Sequence, residues 1–418
     1  MNLTKPEKVG FSADRLTRIN THMQRYIDNG KISGAATLIA RGDHVVHNQC
    51  QGSRNIEANL PITPETIFRI YSMTKPIASV ALLMLYEEGH FQLSDPVSSL
   101  LPAFKETKVC VRPGWYEMEL TAQAPEMTIQ DLLRHTAGLS YGFYQDSPID
   151  EQYRQTRMLS GEFDLEQMVD SIAALPLYYQ PGTGWRYSVA TDVVGRLVEI
   201  VSGQPLNEFL QIRIFEPLGM TDTGFWVPDG SVDRFASIYE AIGATTGVGV
   251  GVSESADASE TATPHLRLVD PNEQSRFVRN RTMFSGGGGL VSTMGDYLQF
   301  AKMMLNQGEL NGERLLGRKT HELMTINHVP EDLLPYQVGP EPAYGHGFGL
   351  GVTIVMDVAQ SAELGSVGTY GWSGMANTNF WVDPVEEVIG ILMTQLLPSS
   401  HHPIKREFKT LAYQAMVG

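Results

Sequence analysis

Ile70-Tyr71-Ser72-Met73-Thr74-Lys75-Pro76-Ile77-Ala78-Ser79-Val80-Ala81-Leu82-Leu83-Met84-Leu85 reads as the start of a buried helix. Pro76 falls near the first turn, where its missing N–H does little harm. From Ile77 to Leu85 nearly every side chain is small or apolar, so this helix has little solvent face and belongs at the centre of the molecule. Ser72 and Lys75 are three residues apart, so a helical turn puts them on one face. A serine hydroxyl is a poor nucleophile near neutral pH and needs a base beside it. A lysine amine serves as that base when its surroundings favour the neutral form. On these residues alone the pair could equally be an N-cap serine with a lysine snorkelling outward.

Composition narrows the function classes. The 418 residues are 42% hydrophobic and 19% charged, enough for a globular core and two structural regions. Lysine and arginine number 31 against 47 acidic residues, giving a net charge of −16. With no basic stripe, nucleic acid is not an expected partner. No run of ~18 apolar residues is present to span a membrane. Met1 to Lys8 has no apolar stretch of the signal-peptide kind, so a cytoplasmic protein is expected. Cys50 and Cys110 allow one disulfide by count, without a disulfide framework.

Working outward, Phe11 to Asn29 is patterned as an amphipathic helix, with Ser12 as cap and Leu16, Ile19, Met23 and Ile27 on one face. Ala35 to Gln51 reads as two strands around Arg41-Gly42-Asp43. Asp95 and Pro96 read as the cap and first position of a short helix. Helices are expected over 127–138, 165–175, 188–202, 205–216, 293–306, 318–327 and 405–416. Strands are expected over 347–356, 378–383 and 388–395. Gly243 to Pro264, rich in Gly, Ser, Thr and Ala, is expected to be a mobile surface excursion. Strands near both ends with helices between imply an α/β (α+β) fold. Its antiparallel sheet is flanked by N- and C-terminal helices and interrupted by a mainly helical insertion. The expected division is 1–90 plus 285–418 around 91–284, with the active site between.

A serine–lysine pair needs a proton carrier for the leaving group and an oxyanion hole. Tyr187 follows the Gly-rich loop Gln180–Gly184 and precedes a helix. A phenol there can exchange protons with a serine, or can be a half-buried aromatic at a helix start. Gly368-Thr369-Tyr370-Gly371-Trp372-Ser373-Gly374-Met375 can supply a strand edge with a backbone N–H facing that of Ser72, or can be a glycine-rich hairpin. Gly286–Gly289 lacks the Lys-Ser/Thr of a phosphate-binding loop and reads as a tight backbone passage.

Together, Ser72-Met73-Thr74-Lys75, Tyr187-Ser188-Val189 and Trp372-Ser373-Gly374, in that order, resemble the motifs of the serine β-lactamase and penicillin-binding superfamily. The chain is most similar to its class C branch and to the family VIII carboxylesterases. Leu132-Leu133-Arg134-His135-Thr136-Ala137-Gly138-Leu139, Gln180-Pro181-Gly182, Pro217-Leu218-Gly219-Met220 and the Gly286–Gly289 run also resemble that family. The resemblance implies a β-lactamase/transpeptidase-like fold. It implies Ser72 as acylated nucleophile, Lys75 as base or proton relay and Tyr187 as proton shuttle. The backbone N–H groups of Ser72 and Met375 would form the oxyanion hole. Trp372 would line the pocket, and Ser373, Gly374 and Tyr141 are further pocket candidates by their place beside these motifs.

The departures bear on substrate. β-Lactamases carry Lys-Thr/Ser-Gly at the third motif, where the cation steadies a substrate carboxylate; Trp372 stands there here. Val189 replaces the Asn of Tyr-x-Asn. Both changes imply hydrolysis of neutral short-chain esters, with weak β-lactam hydrolysis at most. A β-lactamase or D-amino-acid peptidase or amidase is the second reading within the enzyme class, and a catalytically idle binding module the reading outside it. The expected partner is a small-molecule ester, and no cofactor or metal is expected.

Gly138-Leu139-Ser140-Tyr141-Gly142 matches the Gly-x-Ser-x-Gly elbow, but that motif needs a strand before it and a helix after it. Here it follows a helix, so Ser140 is set aside. His135 and His346 read as hydrogen-bonded loop residues. His401-His402 lacks a third ligand at metal spacing.

Overall fold

The computed structural model describes residues 3–114, 118–158, 160–243, 266–279, 281–339 and 341–418. Beyond Gly243, the expected 243–264 excursion lies outside them. Among the described residues the largest sheet has eight antiparallel strands. Their order is His346–Phe348, Thr353–Val355, Tyr370–Ser373, Asn379–Asp383, Val388–Met393, Gly34–Arg41, His44–Asn55, Leu60–Pro61. The strand from the N-terminal part therefore pairs with one from the C-terminal part, Leu38 opposite Ile391 and Ala40 opposite Ile389.

The sheet is buried on both faces, which is why its central strands are apolar at successive positions. Side chains alternate between two cores. Ala36, Leu38, Ala40, Phe380, Val382, Ile389, Ile391 and Met393 point into the larger one. Ala35, Ile39, Trp381, Val388 and Leu392 point into the other, against the two terminal helices Ala13–Asp28 and Ile404–Tyr413. Ser12 caps the first of these by accepting the Arg15 N–H. On its inner face Tyr26 is buried and Ile27 is not fully so, a shift of one residue from the expected stripe.

The larger core contains the Thr74–Glu87 helix, buried continuously from Thr74 to Leu85. It also takes in the inner faces of Leu165–Ala173, Ala190–Ser202 and Met294–Leu305. Several expected elements are shorter. The 127–138 helix is Ile129–Leu133, with Thr128 and Asp131 forming a capping box. It stops because His135 and Gly138 both take positive φ, 61° and 81°. The helix expected after Asp95 is a 3-10 turn, Val97–Ser99, and Asp95 instead accepts the Gln92 N–H. The single strand expected over 347–356 is a hairpin of two strands. Gly351, at φ 97°, turns the chain against Ser79 of the central helix.

Candidate active site

Ser72 sits on a 3-10 turn, Tyr71–Met73, that runs straight into the Thr74–Glu87 helix. Lys75, three residues on and in the first turn of that helix, faces the same side as Ser72. The turn is held from outside. Tyr297 donates its hydroxyl to the Met73 carbonyl at 2.9 Å, and the Leu290 N–H reaches Thr74 Oγ1 at 3.1 Å. Tyr71 has φ 43°, left-handed backbone for a bulky residue, immediately before Ser72. Such conformations persist only where surrounding structure enforces them.

Lys75 is fully buried. Its ammonium donates to the Gly287 carbonyl at 2.6 Å, to Tyr141 Oη at 3.2 Å and to Ser72 Oγ at 3.4 Å. It lies 4.6 Å from the centre of the Tyr187 ring and 5.3 Å from that of Tyr141. The ammonium thus meets the ring of Tyr187 and the hydroxyl end of Tyr141. Burial pushes the Tyr141 phenol well above its ordinary range, so it stays protonated at working pH.

Tyr187 is buried just ahead of the Ala190–Ser202 helix, and its hydroxyl makes no hydrogen bond to a described residue. Its ring packs on Trp372, with centres 5.4 Å apart, and on His135 at 4.9 Å. Lys75 therefore bonds to the hydroxyl of Tyr141, while Tyr187 offers it a ring face. The sequence marks Tyr141 only as a candidate pocket residue. Nothing local marked it, because the contact crosses 66 residues.

Trp372 and Ser373 are half-buried on the Tyr370–Ser373 strand. The Asn379 amide donates to Ser373 Oγ at 3.0 Å. The Gly374 N–H bonds the Thr378 carbonyl at 2.8 Å, and Gly374 lies against the Ile70 carbonyl so closely that a Cβ would collide. The segment carrying Met375 is thereby laid beside the turn carrying Ser72. Neither the Ser72 nor the Met375 amide donates to another described residue.

Ser140, at the centre of the Gly-x-Ser-x-Gly match, is fully buried in a loop. It donates to Asp150 Oδ1 at 2.7 Å and accepts from Arg186 Nε at 2.9 Å. Arg186 forks onto Asp146 at 2.9 and 2.8 Å and lies between the rings of Tyr144 and Tyr178. The Tyr144 hydroxyl donates to the Tyr187 carbonyl at 2.9 Å. This network ties the loop of Tyr141 to the loop of Tyr187. His135 is fully buried, its Nδ1 3.3 Å from Ser188 Oγ, and burial pushes its imidazole well below the usual range. His346 contacts the Tyr344 carbonyl at 2.9 Å. The rings of His401 and His402 lie 4.3 Å apart. Cys50 and Cys110 are both free thiols. Among the described residues no three His, Cys, Asp or Glu side chains are grouped to hold a metal, and no helix is long and apolar enough to cross a membrane.

A match to the beta-lactamase family spans residues 19–414. A protein of Mycobacterium tuberculosis, Rv1367c, is 31% identical over 89% of this chain and 88% of its own. Esterase EstB of Burkholderia gladioli is 27% identical over 94% of each chain. The solved structure of EstCE1, described as a hydrolase with promiscuous acyltransferase activity, superposes with a TM-score of 0.76. It is 27% identical and covers 96% of this chain and 99% of its own.

Proposed function

The chain belongs to the beta-lactamase family, and on that premise we propose that it is a serine carboxylesterase cleaving short-chain esters through an acyl-enzyme on Ser72. The observation that carries this reading is the buried Lys75 side chain, its Nζ held at the Gly287 carbonyl with Ser72 Oγ 3.4 Å away. In the proposed reaction Lys75, as the neutral amine, takes the Ser72 proton while Oγ attacks the ester carbonyl. The Ser72 and Met375 amides, unengaged by described residues, receive the developing oxyanion. Tyr187, with its hydroxyl likewise unengaged, passes its proton to the leaving alkoxide and takes back the one held by Lys75. Water then releases the acid by the reverse sequence.

Trp372 supports the choice of a neutral ester, since it sets an indole where a carboxylate-binding cation would stand. Tyr141, Ser373 and Gly374 complete the proposed pocket. The division into 1–90 plus 285–418 and 91–284 belongs to the same proposal. Ser72, Lys75 and Met375 come from the first part, and Tyr141 and Tyr187 from the second. A cytoplasmic setting fits the two free thiols.

The test is turnover of p-nitrophenyl acetate through octanoate and of a chromogenic cephalosporin, by wild type and Ser72→Ala. The reading expects ester turnover that falls with chain length and is lost in Ser72→Ala. A cephalosporin turned over far faster than every ester overturns the argument from Trp372.

A further inference from the structure

Asp192 is a buried carboxylate that the proposed reaction leaves unused. It lies in the first turn of the Ala190–Ser202 helix and is 0% exposed. Its Oδ1 accepts the Ser285 hydroxyl and the Gly287 N–H, the latter at 3.1 Å. Its Oδ2 makes no hydrogen bond to a described residue. Burying a carboxylate is costly unless its charge is balanced nearby.

The balancing charge is reached through one residue. Gly287 gives its N–H to Asp192 and its carbonyl to Lys75 at 2.6 Å. A Cβ on Gly287 would lie 2.5 Å from Asp192 Oδ2, so only glycine permits this approach. Among the described residues Lys75 itself makes no ion pair: its three hydrogen bonds go to a carbonyl, a phenol and a serine. The groups bearing on Asp192 include Lys75, Arg276, the Tyr141 phenol, the Ser285 hydroxyl and the Gly287 amide. Those bearing on Lys75 from the other elements are the Tyr141 and Tyr187 rings and His135, which burial keeps neutral. Burial pushes the Asp192 carboxyl above its usual range, and Lys75 is foremost among the groups pulling it back.

We propose that Asp192 is a positioning residue: through the Gly287 peptide it seats the Lys75 ammonium beside Ser72, and its charge sets the pH at which Lys75 exchanges a proton with Ser72. When Ser72 Oγ bonds to the substrate carbon, its proton moves to Lys75 Nζ. The ammonium so formed is stabilised by the carboxylate across one peptide unit. Lys75 then returns the proton to Tyr187, which has given its own to the leaving alkoxide, and Asp192 is unchanged. This rests on the Ser72–Lys75 chemistry proposed above.

The experiment is the pH profile of kcat/KM on p-nitrophenyl acetate for wild type, Asp192→Asn, Asp192→Ala and Ser72→Ala. Asparagine keeps an acceptor for Ser285 and Gly287 but removes the charge. The ammonium then gives up its proton more readily, so the acid limb moves to lower pH, by about one unit, and the plateau falls. Alanine also frees Gly287, and the plateau falls on the order of a hundredfold. An acid limb in Asp192→Asn that coincides with wild type overturns the proposal, whether or not the alanine variant folds. If Ser72→Ala keeps its esterase activity, the functional reading fails and this inference with it. If Ser72→Ala is inactive and the asparagine limb has not moved, only the role of Asp192 fails.

Discussion

Lys75 directs its ammonium at the hydroxyl of Tyr141, 3.2 Å away. The tyrosine expected to serve it, Tyr187, lies under it as a ring face. The two phenols should therefore fail differently when removed. Tyr141→Phe takes away one of three hydrogen bonds to Lys75 but keeps the ring, and kcat on p-nitrophenyl acetate should fall on the order of tenfold. Tyr187→Phe removes the proposed proton carrier, and kcat should fall by about a hundredfold or more. A Tyr187→Phe enzyme working at the wild-type rate removes that hydroxyl from the mechanism.

Ser140 is a strut between Asp150 and Arg186. Ser140→Ala leaves two charged groups short of a buried partner, and stability should drop by roughly 1–3 kcal/mol. The melting temperature should fall while a phosphonate inhibitor still labels Ser72. Loss of labelling with an unchanged melting temperature would restore Ser140 as the nucleophile.

Gly287 and Gly288 are neighbours with different room. A Cβ on Gly287 meets Asp192 Oδ2 at 2.5 Å, whereas one on Gly288 meets nothing nearer than 3.7 Å. Gly287→Ala should destabilise by about 1–3 kcal/mol, as overpacking does, and Gly288→Ala by well under 1 kcal/mol. Denaturant titration of the two variants checks the contrast, and equal midpoints would contradict it.

Buried histidines should make stability depend on acid, His47 and His321 alongside His135. Burial lowers His47 and His321 from 6.5 to about 4. Each is neutral in the folded chain and protonates more readily once unfolded. Their contribution is therefore complete above about pH 6.5 and is lost as pH falls toward 4, on the order of 1 kcal/mol per unit for each. Melting curves between pH 7 and pH 4 should show the decline, and His47→Gln should flatten it. An unchanged slope in that variant would mean the imidazole is not what titrates.

Much of this was legible in the chain. The apolar run after Lys75 marks a helix with no solvent face, and Ser12, Thr128 and Thr293 mark helix starts where caps form. The misses fall where backbone conformation depends on a distant neighbour. The 347–356 strand breaks because Gly351 must clear Ser79, and the 127–138 helix ends early at His135, whose ring belongs to a cluster with Trp185, Tyr187 and Phe348.

The sequence by itself put Ser72 and Lys75 on one face of a helical turn, because three-residue spacing is a local property; that Lys75 turns inward is a tertiary result. It also determined the absence of a cation at Trp372. Only the tertiary structure decided what surrounds the ammonium. Tyr141 is 66 residues away, and Gly287, which carries the link to Asp192, is 212. Contacts over such separations are set by how helices and sheet share one core, and no local pattern of residues encodes them.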